Sequence, residues 1–370
     1  MLRTEAAVDV TAIRDNVATL KAGTVAEVMA VVKADGYGHG LIGAAQAARA
    51  GGATWFGTAT LDEAIVLREA GFTEHVLGWL WTPGESETVR SALRAGIDVS
   101  VSNNWQLETV RLAASDTARI HLKIDTGLSR NGATAADWPA LVAAAASAQA
   151  AREVEVVGIW SHFAYADEPG HPTIGRQIAA FREALDVAAR AGITPQVRHL
   201  ANSAATLTLP EAHFDLVRPG IAVYGLSPMP GRQDFGLRPA MTLRAAVAGV
   251  KRVPGGAGVS YGHTYTTGRE TTLALVPLGY ADGIPRRATN AGPVMINGSR
   301  FTISGRVCMD QFVVDVGDLP VVSGDAVTLF GPGSHGEPTA QDWAEAVGTI
   351  HYEIVTRVGP RVPRTYVGQL

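Results

Sequence analysis

The sequence predicts an α/β chain: a (β/α)₈ barrel over residues 1–235, followed by a mostly β domain over 236–370. Three observations predict it. From about residue 28 to 220, a short apolar run, a turn and an amphipathic stretch closed by glycine recur eight times, the rhythm of strands and helices around a parallel barrel. After about residue 236 the runs follow one another with only Gly, Pro and Asn between them, as antiparallel strands and their turns do. The chain has 370 residues, 46% hydrophobic and 18% charged, enough for two buried cores and a poor composition for disorder.

The eight barrel runs are VMAVVK (28–33), WFGTAT (55–60), HVLGWL (75–80), IDVSVS (97–102), RIHLKID (119–125), VEVVGIWSHF (154–163), QVRHLA (196–201) and FDLVRP (214–219). Helices are expected between them. LDEAIVLREAG starts after Thr60, a candidate N-cap with Glu63 three residues on, and stops at Gly71. TIGRQIAAFREALDVAARAG aligns Ile174, Ile178, Phe181 and Leu185 on one face. The alanine-rich stretch near 139–151 is a further helix. A doubly wound open sheet is the alternative, but no GxGxxG follows the first strand. In the second domain TLRAAVAGVKRV, TLALVPLGY, GPVMINGSRFTISGRVCMD, FVVDVGDL and AVTLFG read as strands, and DWAEAVGTIHYEIVTRV (342–358) as one helix. The first eight or so residues are candidates to join that domain.

Composition excludes several functions. Lys plus Arg number 31 against 35 Asp plus Glu, a net charge of −4 with no basic run, so neither a nucleic-acid surface nor a polybasic membrane patch is expected. No apolar run is long enough to span a membrane and no signal peptide is visible, which with the lone Cys308 suggests a reducing cytoplasm. No metal site is implied, because the histidines lack ligand spacing with Cys or carboxylates.

Strand parity points to a site. Successive strand residues alternate between faces, so Lys33 lies with Met29 and Val31, and His121, Lys123 and Asp125 share the face opposite Ile120, Leu122 and Ile124. His162 aligns with Gly158 and Trp160, and Arg218 with Leu216. Lys33, Lys123, His162 and Arg218 therefore stand at or near the C-terminal ends of strands, where barrel enzymes build their sites. Each alone is more often a solvated or structural group; their convergence carries the argument. A lysine leaving a buried strand loses solvation of its ammonium, which frees the amine for Schiff-base chemistry.

AVVKADGYGHG (30–40) resembles the cofactor-lysine motif of the alanine racemase family, with Lys33 as the lysine that bonds pyridoxal 5′-phosphate and Tyr37 near the phosphate. The resemblance runs in order along nearly the whole chain. HLKIDTGLSRNG (121–132) matches the segment whose lysine, here Lys123, is commonly carbamylated and whose arginine, here Arg130, meets cofactor and substrate; Leu128-Ser129 replaces the Met-Gly of many relatives. A plain salt bridge of Lys123 with Asp125 or a neighbour is the alternative. GIWSHFAYADE places His162 by the cofactor ring, LANSAA supplies Asn202 and the phosphate ligand Ser203, and LVRPGIAVYG supplies Arg218 with the Gly220 and Ile221 amides at the phosphate. The resemblance puts Arg218 at the ring nitrogen. A guanidinium only donates, so that nitrogen stays unprotonated and racemisation is favoured over transamination.

VSYGHTY (259–265) resembles the segment of the second base, Tyr261. A phenol is a weak base alone, and the His162–Arg218 neighbourhood is expected to let it act as one. GRVCMDQ (305–311) implies Met309 at the substrate carboxylate with Cys308 and Asp310 in support, and Cys308 has no nucleophilic part. IHYEIVTRV implies Tyr352 as a phosphate ligand, with His351 where relatives have Asn, and GYADGIPRR implies Tyr280 as a gate, with Asp167 and Arg306 as a charged layer outside it. The family pairs barrel residues of one protomer with Tyr261 of another, so a homodimer with shared sites is expected. The implied activity is interconversion of L- and D-alanine by two-base proton transfer, supplying D-alanine for peptidoglycan. A non-catalytic cofactor carrier would lack Tyr261, a decarboxylase would want an acid at the ring nitrogen, and a cofactor-free aldolase would leave Arg218 idle. A broader serine/alanine racemase differs only in pocket shape.

Overall fold

The computed structural model describes residues 3–232 and 235–370; residues 1 and 2 of the expected N-terminal segment lie outside them. Strand β1 (Thr4–Asp9) precedes eight strands that alternate with helices: β2 (Glu27–Val31), β3 (Trp55–Thr58), β4 (His75–Gly78), β5 (Asp98–Val101), β6 (Ala118–Lys123), β7 (Val154–Trp160), β8 (Val197–His199) and β9 (Leu216–Val217). All eight sit on the predicted runs. They form one parallel sheet in the order β8-β7-β6-β5-β4-β3-β2-β9. Backbone bonds from Asp215 N to Arg198 O (3.1 Å) and Arg218 N to Ala201 O (2.9 Å) bring its ends together, making the (β/α)₈ barrel of TIM type.

Local chemistry explains the surrounding helices α1 (Val10–Ala22), α2 (Leu41–Ala50), α3 (Leu61–Glu69), α4 (Ser86–Arg94), α5 (Asn104–Ala113), α6 (Trp138–Ala150), α7 (Pro172–Arg190) and α8 (Ser203–Thr208). Thr60 caps α3 in a complete capping box with Glu63. Ile174, Ile178 and Phe181 of α7 are buried, with Leu185 packed at their margin. The barrel interior is divided. Met29, Trp55, Leu77, Val157, Val197 and Leu216 form an apolar plug, whereas Asp98, Ser100, His121, Lys123 and His199 are also buried and are linked across the interior by the hydrogen bonds described below.

The second domain holds the remaining strands: β10 (Met241–Ala246), β11 (Gly249–Val253), β12 (Gly258–Val259), β13 (Tyr265–Thr266), β14 (Thr271–Val276), β15 (Pro293–Ile296), β16 (Ser299–Thr302), β17 (Phe312–Gly317), β18 (Ala326–Phe330) and β19 (Arg364–Val367). Its main sheet runs β16-β15-β18-β10-β1-β19, so the N-terminal strand does join it, and β11-β14-β17 forms a smaller sheet. The single helix expected over 342–358 is two helices, α9 (Ala340–Val347) and α10 (His351–Thr356), broken at Gly348, whose φ of +70° ends a right-handed helix. Among the described residues no helix is long and apolar enough to cross a membrane.

Candidate active site

The C-terminal mouth of the barrel opens into a cavity of about 1040 Å³ that Lys33, Lys123, Arg130, His162, Asp167, Asn202, Ser203, Arg218, Gly220, Ile221, Tyr37 and Tyr352 all line. Most of the predicted barrel residues thus meet in one place, and Tyr352 reaches it from α10 of the second domain.

Lys33 does not end a strand as expected. β2 stops at Val31, and Ala34, Asp35, Gly36 and Tyr37 follow with φ of 54°, 53°, 61° and 53°, a left-handed turn. Three of these are not glycine, and each costs about 1–2 kcal/mol in that conformation. The surroundings impose the turn. Ala34 N donates to Glu63 Oε1 (2.6 Å), Leu41 N donates to Asp35 Oδ1 (2.8 Å), and His39 Nδ1 donates to the Gly36 and Tyr37 carbonyls (3.1 and 3.0 Å). Burial pulls His39 down to about 4, so it stays neutral in this role. Gly38 is required: a Cβ there would stand 2.2 Å from the Val355 carbonyl of α10. The turn leaves the Lys33 amine 5.9 Å from the Tyr37 ring and 5.8 Å from the Trp79 ring. Burial, then the charge of Arg130, lowers its pKa and favours the nucleophilic amine.

A cradle for an anion lies opposite. Gly220 N and Ala222 N donate to Ser203 Oγ at 2.8 and 3.3 Å, and Asn202 caps α8 by accepting from Ala205 N. A Cβ on Gly220 would come within 2.3 Å of the Tyr37 hydroxyl, so only a bare backbone fits. Tyr37 stacks on Tyr224, whose hydroxyl donates to Val31 O (3.1 Å). Burial pushes the Tyr37 and Tyr352 phenols up, helped by each other's proximity for Tyr37 and by Asp167 for Tyr352, which keeps both as hydrogen-bond donors.

Arg218 is 4% exposed. Its Nη2 donates to Ser161 O (2.7 Å), Leu200 O (3.2 Å) and His162 Nδ1 (3.4 Å), and Nη1 to His199 Nδ1 (3.2 Å). Burial lowers its pKa to about 9, which leaves it protonated at neutral pH. His162 is held neutral by burial and by the Arg218, Arg130 and Lys123 charges. Lys123 lies 4.2 Å from the Trp160 ring and makes no ion pair among the described residues. Burial, followed by Arg218 and Arg130, pushes it down to about 7. The expected alternative, a bridge to Asp125, is absent: Asp125 Oδ1 accepts instead from the Gly127, Leu128 and Ser129 amides and shapes the Arg130 loop.

Tyr261, Tyr280, Arg306, Cys308, Met309 and Asp310 are not brought to this cavity within one protomer. They form a second cluster on the β domain. Ser260 Oγ donates to Arg306 O (2.7 Å) and lies 3.4 Å from Cys308 Sγ, while Tyr280 N and Ala281 N donate to the Cys308 and Met309 carbonyls. Asp310 pairs with Arg361 at 2.8 Å. Tyr261 is 72% and Met309 54% exposed, unusual for large apolar side chains and marking a surface for contact. Sequence reading did not give Asp98, His121 and His199 a role, although all three lie on inward-facing strand positions.

A desolvated lysine, an anion cradle of amides and phenols, and a buried guanidinium at one barrel mouth suit a phosphorylated aldehyde. The donor set fits pyridoxal 5′-phosphate, and the class defined is a barrel enzyme of Schiff-base chemistry. Comparison with known proteins narrows it. The sequence profile described as "Alanine racemase, N-terminal domain" matches residues 8–228, and "Alanine racemase, C-terminal domain" matches 240–366. An alanine racemase of Salinispora tropica is 63% identical over 100% of both chains. The crystal structure of alanine racemase from Streptomyces lavendulae superposes with a TM-score of 0.98 at 56% identity, covering 100% of this chain and 98% of that one. That from Bacillus anthracis with bound L-Ala-P gives 0.92 at 37% identity, covering 100% and 96%. The chain belongs to the alanine racemase family.

Proposed function

We propose that the chain interconverts L- and D-alanine with pyridoxal 5′-phosphate as cofactor, moving the α-proton between Lys33 on one face and the partner's Tyr261 on the other. The observation that carries this reading is the split of the machinery. Lys33 and the anion cradle share one cavity, while the exposed Tyr261–Met309 cluster is not among its lining residues, so a second copy completes the site. When bound, the cofactor acidifies the α-carbon proton of the substrate amine.

The residues divide the remaining work. Lys33, with its lowered pKa, would hold the cofactor, and its amine accepts or returns the proton on its face. Tyr37, Ser203, Tyr352 and the Gly220 and Ile221 amides would hold the phosphate. Arg218 would donate to the ring nitrogen and keep it unprotonated. His162 flanks the ring, and Arg130 meets the substrate carboxylate with the partner's Met309. Lys123, with its pKa pushed down to about 7, takes up CO₂ through its neutral amine, releasing a proton, to become a carbamate anion that steadies Arg130. Tyr280, with Asp167 and Arg306, guards access. The product D-alanine serves peptidoglycan synthesis, the standard role of the family.

Borohydride trapping should label Lys33. Lys33→Ala and Tyr261→Phe should each block proton exchange chiefly from one enantiomer, and a mixture of the two should recover activity that neither has alone, because a hybrid dimer holds one intact site. Label on another lysine, or folded monomers with full turnover, would refute the reading.

A further inference from the structure

Among the described residues Arg218 has no carboxylate in contact, and it is buried, an expensive state for a cation. Its counter-charge lies across the barrel. Arg218 Nη1 donates to His199 Nδ1 (3.2 Å), His199 Nε2 lies 2.9 Å from His121 Nδ1, and His121 Nε2 lies 3.2 Å from Asp98 Oδ2. All four residues are 4% exposed or less. Asp98 opens β5 at the N-terminal end of the barrel, where Arg119 binds both its oxygens, Nε to Oδ1 at 2.7 Å and Nη2 to Oδ2 at 3.3 Å.

Donor logic settles the proton positions. A guanidinium has no acceptor, so His199 Nδ1 must accept. A neutral His199 then carries its proton on Nε2 and donates to His121 Nδ1, which places the His121 proton on Nε2, facing the carboxylate. Burial and the Arg218 charge keep His199 neutral. For Asp98, burial alone would favour protonation, but hydrogen bonds and charges from His121 and Arg119 hold it below its ordinary value. The chain therefore runs one way, from cation to anion. A reversed chain would set a His199 N–H against a guanidinium N–H.

The packing is shaped around this chain. A Cβ at residue 158 would stand 2.2 Å from His121 Nδ1, so Gly158 makes room for the ring. Trp160 lies parallel to His199 within 1° at 5.6 Å, and Trp55 meets His121 edge-on at 5.6 Å. Barrel interiors are ordinarily filled by branched apolar residues, and Asp98 Oδ2, which Arg119 reaches only at 3.3 Å, also faces His121 at 3.2 Å.

We infer that Asp98 is a positioning residue for the cofactor's ring nitrogen, acting through His121 and His199 to fix the tautomers that aim Arg218. This rests on the ring-nitrogen role proposed above for Arg218. The test is ¹⁵N-histidine spectroscopy of the holoenzyme, with His121 and His199 assigned by substitution. Both should be Nε2–H tautomers in the native enzyme. Asp98→Asn should mix the tautomers at both rings, lower racemisation about tenfold as loss of an outer partner does for metal-bound imidazoles, leave KM nearly unchanged, and raise pyruvate released per racemisation. A His199 protonated on Nδ1 or charged in the native enzyme overturns the proposal. So does an Asp98→Asn enzyme with native tautomers and native pyruvate partition. If that variant does not fold, the native spectrum decides the tautomers and His121→Asn replaces it for partition. Native tautomers in a protein that fails to racemise alanine would sink the proposed function instead.

Discussion

Replacing Gly220 by alanine tests the anion cradle at its tightest point. The added Cβ would stand 2.3 Å from Tyr37 Oη and 2.9 Å from Cζ, against ordinary contact beyond 3.4 Å, so the phenol must retreat by about 1 Å. It cannot swing aside freely. Its ring is stacked 5.0 Å from Tyr224, which is stacked in turn 4.5 Å from His39 and tied to Val31 O. The retreat therefore removes the Tyr37 hydroxyl from the phosphate. One hydrogen bond to a charged group is worth about 1.5–3 kcal/mol, or roughly 10- to 100-fold in Kd. Cofactor-free protein titrated with pyridoxal 5′-phosphate and followed by absorbance reads this directly. Tyr37→Phe should lose a similar amount, and the double variant little more, because both remove one contact. An unchanged Kd in Gly220→Ala would show that Tyr37 does not hold the phosphate.

Other outcomes follow from the same geometry. Gly175→Ala in α7 meets nothing within 4 Å and should raise stability by about 0.5–1 kcal/mol in urea titration with cofactor affinity unchanged; a loss would contradict the open space there. Thr60→Ala removes the α3 capping box and should lower stability by about 1 kcal/mol, visible as a reduced Tm. Lys123 binds fewer protons folded than unfolded between pH of about 7 and the ordinary lysine value, so stability of the cofactor-free protein should rise with pH across that window, and Lys123→Met should flatten the slope. The same neutral amine should take up CO₂: activity should fall in CO₂-free buffer and return with bicarbonate, while mass spectrometry that finds only unmodified Lys123 in active enzyme would refute the carbamate.

Much of this was legible along the chain because it is local or periodic. Eight apolar runs followed by helical spacing define a barrel, since a strand buried on both faces must be continuously apolar and its crossover must be helical. Parity alone sent Lys123 and His121 inward and Ile120, Leu122 and Ile124 outward, as the structure has them. The cofactor motif at 30–40 resembled a family closely enough to name residues.

What only the tertiary structure decided concerns groups that meet across distance. The left-handed turn after Lys33 goes against the preferences of Ala34, Asp35 and Tyr37 and exists because Glu63, Leu41 and the second domain hold it. The break at Gly348 turned one predicted helix into two and swung Tyr352 into the barrel mouth. The depressed pKa of Lys123 is a property of its burial among cations, which no spacing encodes. And Asp98, His121 and His199 are far apart in sequence; they form one chain because a closed barrel gives three strands a common interior, where each unpaired polar group must find the next.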